Sequence, residues 1–326
     1  MRAVQVVAPG QSTIVEIPKP SLERGQALIR TKMLSLCGSD THAVFHRQPE
    51  LYPLPPGMSG HEVIGIVDEI HPDDEVSFKV GDVALALVNT NQGMAEYATV
   101  PIGSVLVLPE GTPEEHLLQA QQLGTVLYAA KKMPNVVDKD VAVIGQGSAG
   151  LWWVYMMRRL GARRVIAVDL QAHRLTISPL YGATDTIHNA DADTVELLSE
   201  LTNGEMVDVV VEAAGEPESI NLATNLVKRY GFIFYFGVPR IHDTMDFQML
   251  EMFRKCVTVQ TMVGSLAGDP EHSCTYTALE LIASGIADVG PMITHHFPFE
   301  QIQDAYELQY TRDEGAVKIV IDMPSS

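Results

Sequence analysis

Cysteine and tryptophan are scarce in this sequence, with three of the first and two of the second in 326 residues. Three cysteines without paired spacing make no disulfide framework, so the fold must rest on buried cores, and a reducing compartment suits it. Positive charge is also thin: 22 Lys and Arg stand against 41 Asp and Glu, a formal charge of -19. The basic residues are scattered rather than clustered, which speaks against a nucleic-acid or anionic-membrane surface. Long apolar runs are missing as well, and none reaches the length of a membrane span. The start, Met1-Arg-Ala-Val-Gln-Val-Val, turns at Pro9-Gly10 before a signal-peptide core could form. These absences lead us to expect a soluble, cytoplasmic protein that acts on small molecules, with no nucleic-acid or membrane partner.

What is present is a hydrophobic fraction of 46% in a chain too long for one core, so two domains are expected. The chain is organised around Val141-Ala-Val-Ile-Gly145-Gln-Gly147-Ser-Ala-Gly150, an apolar helical run to Leu160, and a second strand, Val165-Ile-Ala-Val-Asp169. This reads as strand, turn, helix, strand. Gly145 permits the tight turn, Gly147 lets the backbone approach a pyrophosphate, and Gly150 lets the helix pack closely, leaving the helix N-terminus facing the phosphates. Asp169 lies nineteen residues after Gly150, where a carboxylate would accept the adenosine ribose hydroxyls of NAD.

Residues 1–117 carry short apolar or alternating runs broken by Pro and Gly, the pattern of a β-rich domain: Ala3–Val7, Ala27–Leu36, Val63–Ile70, Asp82–Val88, Glu96–Val100 and Val105–Leu108. From residue 118 helices and strands alternate: helices at Ala172–Tyr181, Ala192–Leu201 and Pro217–Val227, strands at Val207–Glu212, Phe232–Phe236 and Val257–Met262. That alternation predicts a doubly wound parallel sheet with helices on both faces over residues 118–263. Residues 264–326 hold helical runs at Tyr276–Ala283 and Phe299–Leu308 and a last strand, Ala316–Ile321, and are expected to return and complete the first domain. The fold class is thus α/β, a Rossmann coenzyme domain beside a β-rich domain split in sequence. Trp152-Trp153 with Met156-Met157 makes the first helix apolar around most of its circumference, a sign of burial against sheet, domain or subunit.

The chemistry is concentrated in Cys37-Gly-Ser-Asp-Thr-His42 and Gly60-His61-Glu62. Thiolate and imidazole are favoured zinc ligands, and the carboxylates beside them could orient the imidazole or ligate directly.

Together with Phe78-Lys-Val-Gly-Asp82, Gly93-Met-Ala-Glu-Tyr97, the glycine turn with Asp169, Asp208-Val-Val-Val-Glu-Ala-Ala-Gly215 and Ala316-Val-Lys-Ile-Val, these motifs run in order along the whole chain. In this the sequence resembles the zinc-dependent medium-chain dehydrogenase/reductase family, above all its alcohol, polyol and threonine dehydrogenase branches. The resemblance implies a GroES-like catalytic domain and a catalytic zinc held by Cys37 and His61, with Glu62 beside the metal. It implies that Asp40 orients the ligand histidine and that Ser39 and His42 relay the alcohol proton toward solvent. In the coenzyme domain it implies ribose contacts from Asp169 and Arg174, nicotinamide neighbours at Thr125 and Ala149 beside the turn of Gly145, Gly147 and Gly150, and a pyrophosphate contact from Lys318. A homo-dimer or homo-tetramer is expected.

Two departures bear on the metal. The four-cysteine lobe of many relatives is replaced by Asn89-Thr-Asn-Gln-Gly93, so no second zinc is expected. The family's third protein ligand aligns with Gln121, and a shift of one residue offers Gln122, another neutral amide. The function expected is hydride transfer between a secondary alcohol or polyol-type substrate and NAD at one catalytic zinc. A zinc-free, NADPH-dependent reductase of enones or quinones, or a non-catalytic nucleotide-binding protein, are the alternatives. Phe45, His46, Tyr52 and Phe236 are candidates for lining the substrate pocket, each with an equal packing explanation.

Overall fold

Two long strands that each carry a run of consecutive buried residues, Gln26–Ser35 and Glu62–His71, pair antiparallel at the centre of a seven-stranded sheet. The computed structural model describes residues 1–73, 75–241, 244–262, 264, 268–269 and 271–324. Across this sheet the order is Ile293–Pro298, Lys318–Asp322, Gln26–Ser35, Glu62–His71, Val83–Leu87 and Val105–Val107. Tyr97–Pro101 pairs with Gln26 to Arg30 of the strand Gln26–Ser35, while Lys318–Asp322 pairs with its other end, Met33 to Ser35. Ile29, Leu34, Val63, Val67, Phe299 and Tyr306 belong to the core beneath. Residues 1–125 and 265–326 form this unit, and the C-terminal strand enters it with Val320 opposite Ser35. That register matters below, because it fixes where Lys318 sits.

Residues 126–264 form the second unit. Its six strands are all parallel, in the order Asp185–His188, Arg164–Asp169, Asp140–Ile144, Val207–Glu212, Val227–Tyr235 and Thr258–Thr261. Every residue of Asp140–Ile144 is buried, as a strand covered on both faces requires. The chain order reverses between Asp140–Ile144 and Val207–Glu212, the topological switch point where open α/β sheets bind ligands. Trp152 and Trp153 are fully buried inside this unit, edge-on to Tyr155 and Tyr181 and to Phe236 respectively. Their apolarity is therefore used within the chain and needs no subunit to cover it.

Several boundaries differ from the sequence reading. The run Ala172–Tyr181 is helical to Ile177 and then tightens to a 3-10 turn over Ser178–Tyr181, because Pro179 has no N–H for the ladder. The next helix starts at Thr194 rather than Ala192, capped by Asp193, whose side chain accepts the N–H groups of Val195 and Glu196. The edge strand Asp185–His188 and the helices Gly38–Phe45 and Met249–Lys255 have no counterpart in the sequence reading. Gly38–Phe45 is short and polar, with no apolar period to announce it. The expected strand Val257–Met262 is observed as Thr258–Thr261.

Candidate active site

The strand Gln26–Ser35 delivers the chain to Cys37, which caps the helix Gly38–Phe45. Asp40, three residues on, reaches back and accepts the Cys37 N–H through Oδ2 at 2.7 Å, the returning half of a capping box. Its Oδ1 accepts the Gly60 N–H at 3.2 Å and lies 3.7 Å from His61 Nδ1. One buried carboxylate thus ties the helix start to the segment preceding Glu62–His71. Gly60 has φ +118, and a Cβ there would lie 2.9 Å from Met94 N, so the close approach needs glycine. The outcome is that Cys37 Sγ, a His61 ring nitrogen and a Glu62 carboxylate oxygen lie within 4.8 Å of one another.

Glu62 opens its strand and is fully buried, as is Lys318 on the C-terminal strand, with Gln26–Ser35 lying between the two strands in the sheet. The Lys318 ammonium lies 2.6 Å from Glu62 Oε2, and Ser35 Oγ donates to the same oxygen. Gln119 Nε2 donates in turn to Ser35 Oγ at 3.3 Å, and Gln122 Nε2 lies 3.5 Å from Cys37 Sγ. The opposite atoms, Glu62 Oε1 and Gln122 Oε1, are buried and accept no hydrogen bond from the described residues. Buried acceptors are rarely left so, and a cation is one of the few groups that would satisfy them.

Charge at the cluster follows from this packing. Burial by itself would lower the His61 value, yet its hydrogen bond to Cys37 and the charges of Asp40, Cys37 and Glu62 push it up to about 10. For Cys37, burial and Glu62 oppose the thiolate, but His61 and Lys318 outweigh them and hold the thiol below its usual range. Burial pushes the Asp40 carboxyl up, against the pull of His61. Without a metal, the favoured arrangement is a thiolate–imidazolium pair. A metal would displace the imidazolium proton and take thiolate, imidazole and carboxylate donors, a set suited to zinc. The residues present therefore fit that ion.

In the second unit Gly145 has φ +90 and carries the turn into the helix Ser148–Arg159, for which Gly147 is the N-cap. A Cβ on Gly150 would stand 1.7 Å from the Gly145 carbonyl oxygen, whereas one on Gly147 would meet only Arg174 Nη1, at 3.7 Å. Asp169 ends its strand with both carboxylate oxygens held: Oδ2 accepts the Gln146 N–H and Oδ1 the Gln171 N–H. Asp169, Arg174 and the glycine turn therefore lie together at the carboxyl end of the sheet, and these residues fit a dinucleotide.

Other expected site residues are placed as follows. Ser39 and His42 share the helix Gly38–Phe45, with the His42 ring stacked 6.4 Å from that of His46. Thr125 Oγ1 donates to the Gln121 carbonyl, and Ala149 lies in the first turn of Ser148–Arg159. Phe45 stacks on Tyr310, Tyr52 donates to the Ala43 and Val44 carbonyls, and Phe236 packs on Trp153, so each has a packing partner. Two placements correct the sequence reading. The amide set against Cys37 is that of Gln122, not Gln121, since successive helical residues point about 100° apart. Lys318, expected at a pyrophosphate, is buried against Glu62 in the first unit. Ser35 and Gln119 were missed. A lysine inside the apolar run Ala316–Ile321, and two glutamines three residues apart, were the signals available.

Comparison with known proteins agrees with this geometry. The profile described as "Alcohol dehydrogenase GroES-like domain" matches residues 23–110, and that described as "Zinc-binding dehydrogenase" matches residues 149–284. The L-threonine 3-dehydrogenase of Caldanaerobacter subterraneus subsp. tengcongensis is 29% identical over 332 residues, covering 93% of this chain and 94% of that protein. That of Bacillus subtilis is 27% identical over 336 residues, covering 95% of each. Alcohol dehydrogenase TADH from Thermus sp. ATN1 shares the fold, with a TM-score of 0.84 at 24% identity over 99% of this chain and 100% of that one. With both profiles in their expected order and full-length relatives on either side, the chain belongs to the zinc-dependent medium-chain dehydrogenase/reductase family and is an oxidoreductase of the alcohol dehydrogenase type.

Proposed function

We propose that this oxidoreductase transfers hydride between a secondary alcohol or polyol-type substrate and NAD, with one zinc at the cluster of Cys37, His61 and Glu62. The observation that carries the reading is that cluster, three donors of different chemistry gathered within 4.8 Å. Residues 1–125 and 265–326 serve as the catalytic domain and residues 126–264 as the coenzyme domain. When bound, zinc supplies a Lewis acid that lowers the pKa of an alcohol, and NAD accepts the hydride. Cys37, His61 and Glu62 hold the metal, with Gln122 rather than Gln121 as the neutral fourth donor. Asp40 fixes the His61 ring. A reducing, cytoplasmic setting and a homo-oligomeric state complete the reading.

Ser39 and His42 are three apart on one helix and so share a face, as a proton relay requires. His42→Ala should slow alcohol oxidation, most strongly at low pH where the alkoxide is hardest to form, by up to about 10²–10⁴-fold. A pH–rate profile identical to that of the wild type would remove His42 from the mechanism.

Asp169 should favour NAD over NADP. Its carboxylate is fixed by two backbone N–H groups and cannot swing away from a 2′-phosphate. Equilibrium titration should show NAD bound at least about tenfold tighter, with Arg174 moderating the difference. Tighter binding of NADP would refute the assignment.

Metal analysis and a cofactor screen test the whole reading. The expected result is one zinc per chain and NAD reduction by a secondary alcohol. The first alcohols to try are L-threonine, for which the relatives are named, and 2R,3R-butanediol, for which a Bacillus subtilis dehydrogenase of the same fold is named. Metal-free protein that reduces enones with NADPH would replace this reading with the zinc-free one, for which the neutral amide at Cys37 is the supporting observation.

A further inference from the structure

We infer that Lys318 is a positioning residue that divides the Glu62 carboxylate, holding Oε2 so that Oε1 is the oxygen presented to the metal, and thereby sets how tightly the metal is held. This rests on the zinc reading above. Lys318 and Glu62 are both fully buried, and the ammonium stands 2.6 Å from Oε2. Ser35 Oγ donates to that same oxygen and is itself held by Gln119 Nε2. The contacts from Lys318 and Ser35 thus both fall on Oε2, while Oε1 is buried with no hydrogen-bond partner among the described residues, in a carboxylate that lies within 4.8 Å of the Cys37 and His61 donor atoms. The lysine is placed by the sheet, since its strand pairs with Gln26–Ser35 in a register that sets Val320 opposite Ser35.

The physical consequence has two parts. In the metal-free protein a buried carboxylate needs a counter-charge, and Lys318 provides it. In the metal-loaded protein the same ammonium draws carboxylate charge away from the ion. Because Gln122 is neutral, Cys37 and Glu62 carry the anionic charge of the donor set, so weakening Glu62 weakens the whole site.

Lys318→Met should therefore act in opposite directions on two measurements. In the metal-free protein it should lower the thermal unfolding midpoint, because Glu62 is left buried and unpaired. In chelator competition it should raise zinc affinity, by at least about tenfold, because the freed carboxylate gives its full charge to the ion. In a Glu62→Gln background the gain in affinity should vanish and the loss of stability should reverse, because there Lys318 is itself the buried unpaired charge that the methionine removes. Lys318→Gln, which removes the charge but keeps a polar side chain, serves for the same comparison if the methionine variant does not fold. A lysine with a merely structural role would move stability without raising affinity. Equal zinc affinity in wild type and Lys318→Met, or the same rise with and without Glu62, overturns the inference and leaves the zinc reading standing. Wild-type protein that takes up no zinc overturns both, and is recognised before any variant is made.

Discussion

Gly150→Ala is expected to cripple the coenzyme unit. The added methyl would stand 1.7 Å from the Gly145 carbonyl oxygen and 2.8 Å from its carbon, which are backbone atoms that cannot rotate away. Gly145 is locked by the turn at φ +90 and by its own N–H on the Val168 carbonyl. The helix Ser148–Arg159 cannot withdraw either, because Leu151, Trp152, Trp153 and Val154 are wholly buried along it. Ordinary overpacking costs about 1–3 kcal/mol, and this contact is more severe, so a large part of a typical domain stability of about 5–15 kcal/mol should go. Thermal unfolding should show a drop of many degrees and NAD binding should be lost.

Gly147→Ala separates packing from binding. Its φ of -67 suits any residue, and its methyl would find the Arg174 guanidinium at 3.7 Å and no backbone. That variant should fold as the wild type does yet bind NAD weakly, since the methyl fills the approach to the pyrophosphate. A Gly150→Ala protein that melts within about two degrees of wild type, where one kcal/mol moves a domain of this size by about 2–8 °C, would refute the packing argument.

Cys37→Ala should abolish zinc binding and NAD-dependent alcohol oxidation together. It removes the only thiolate at the cluster, and imidazole, carboxylate and amide alone do not make a zinc site of comparable strength. A loss of at least about 10³-fold in metal affinity is expected on that chemistry. Retention of stoichiometric zinc would show that the ion sits elsewhere.

The same variant tests the metal-free electrostatics. In chelator-treated wild type, His61 is raised from 6.5 to about 10, so its contribution to stability is complete below the unfolded value and is lost as pH rises through about 10. The Cys37 thiol is lowered, so its contribution is present above the unfolded thiol value and lost as pH falls through the folded one. Because the two titrations are coupled, the pair is complete only between these limits. Unfolding followed from about pH 9, the unfolded thiol value, to about 10.5 should therefore show metal-free wild type losing more stability than Cys37→Ala. Equal slopes would mean that no thiolate–imidazolium pair forms.

Features that depend on local pattern are written in the sequence. Gly145, Gly147 and Gly150 between two apolar strands, with Asp169 at the end of the second, specify a strand–turn–helix–strand unit, because each glycine answers a steric demand made by residues a few positions away. Cys37, Asp40 and His61 were legible as residue types within two short motifs, but the helix start that joins Cys37 to Asp40, and the contact from Gly60 to Asp40, were not. Features that depend on the register of distant strands and the rotation of a helix emerge only on folding. Which glutamine meets Cys37 turns on the phase of Ala120–Ala130, and two neighbouring amides look alike in sequence. Lys318 lies 256 positions from Glu62 and meets it only because the last strand enters the sheet beside Gln26–Ser35. A buried lysine is stable only where a carboxylate awaits it, and no local pattern records which one does.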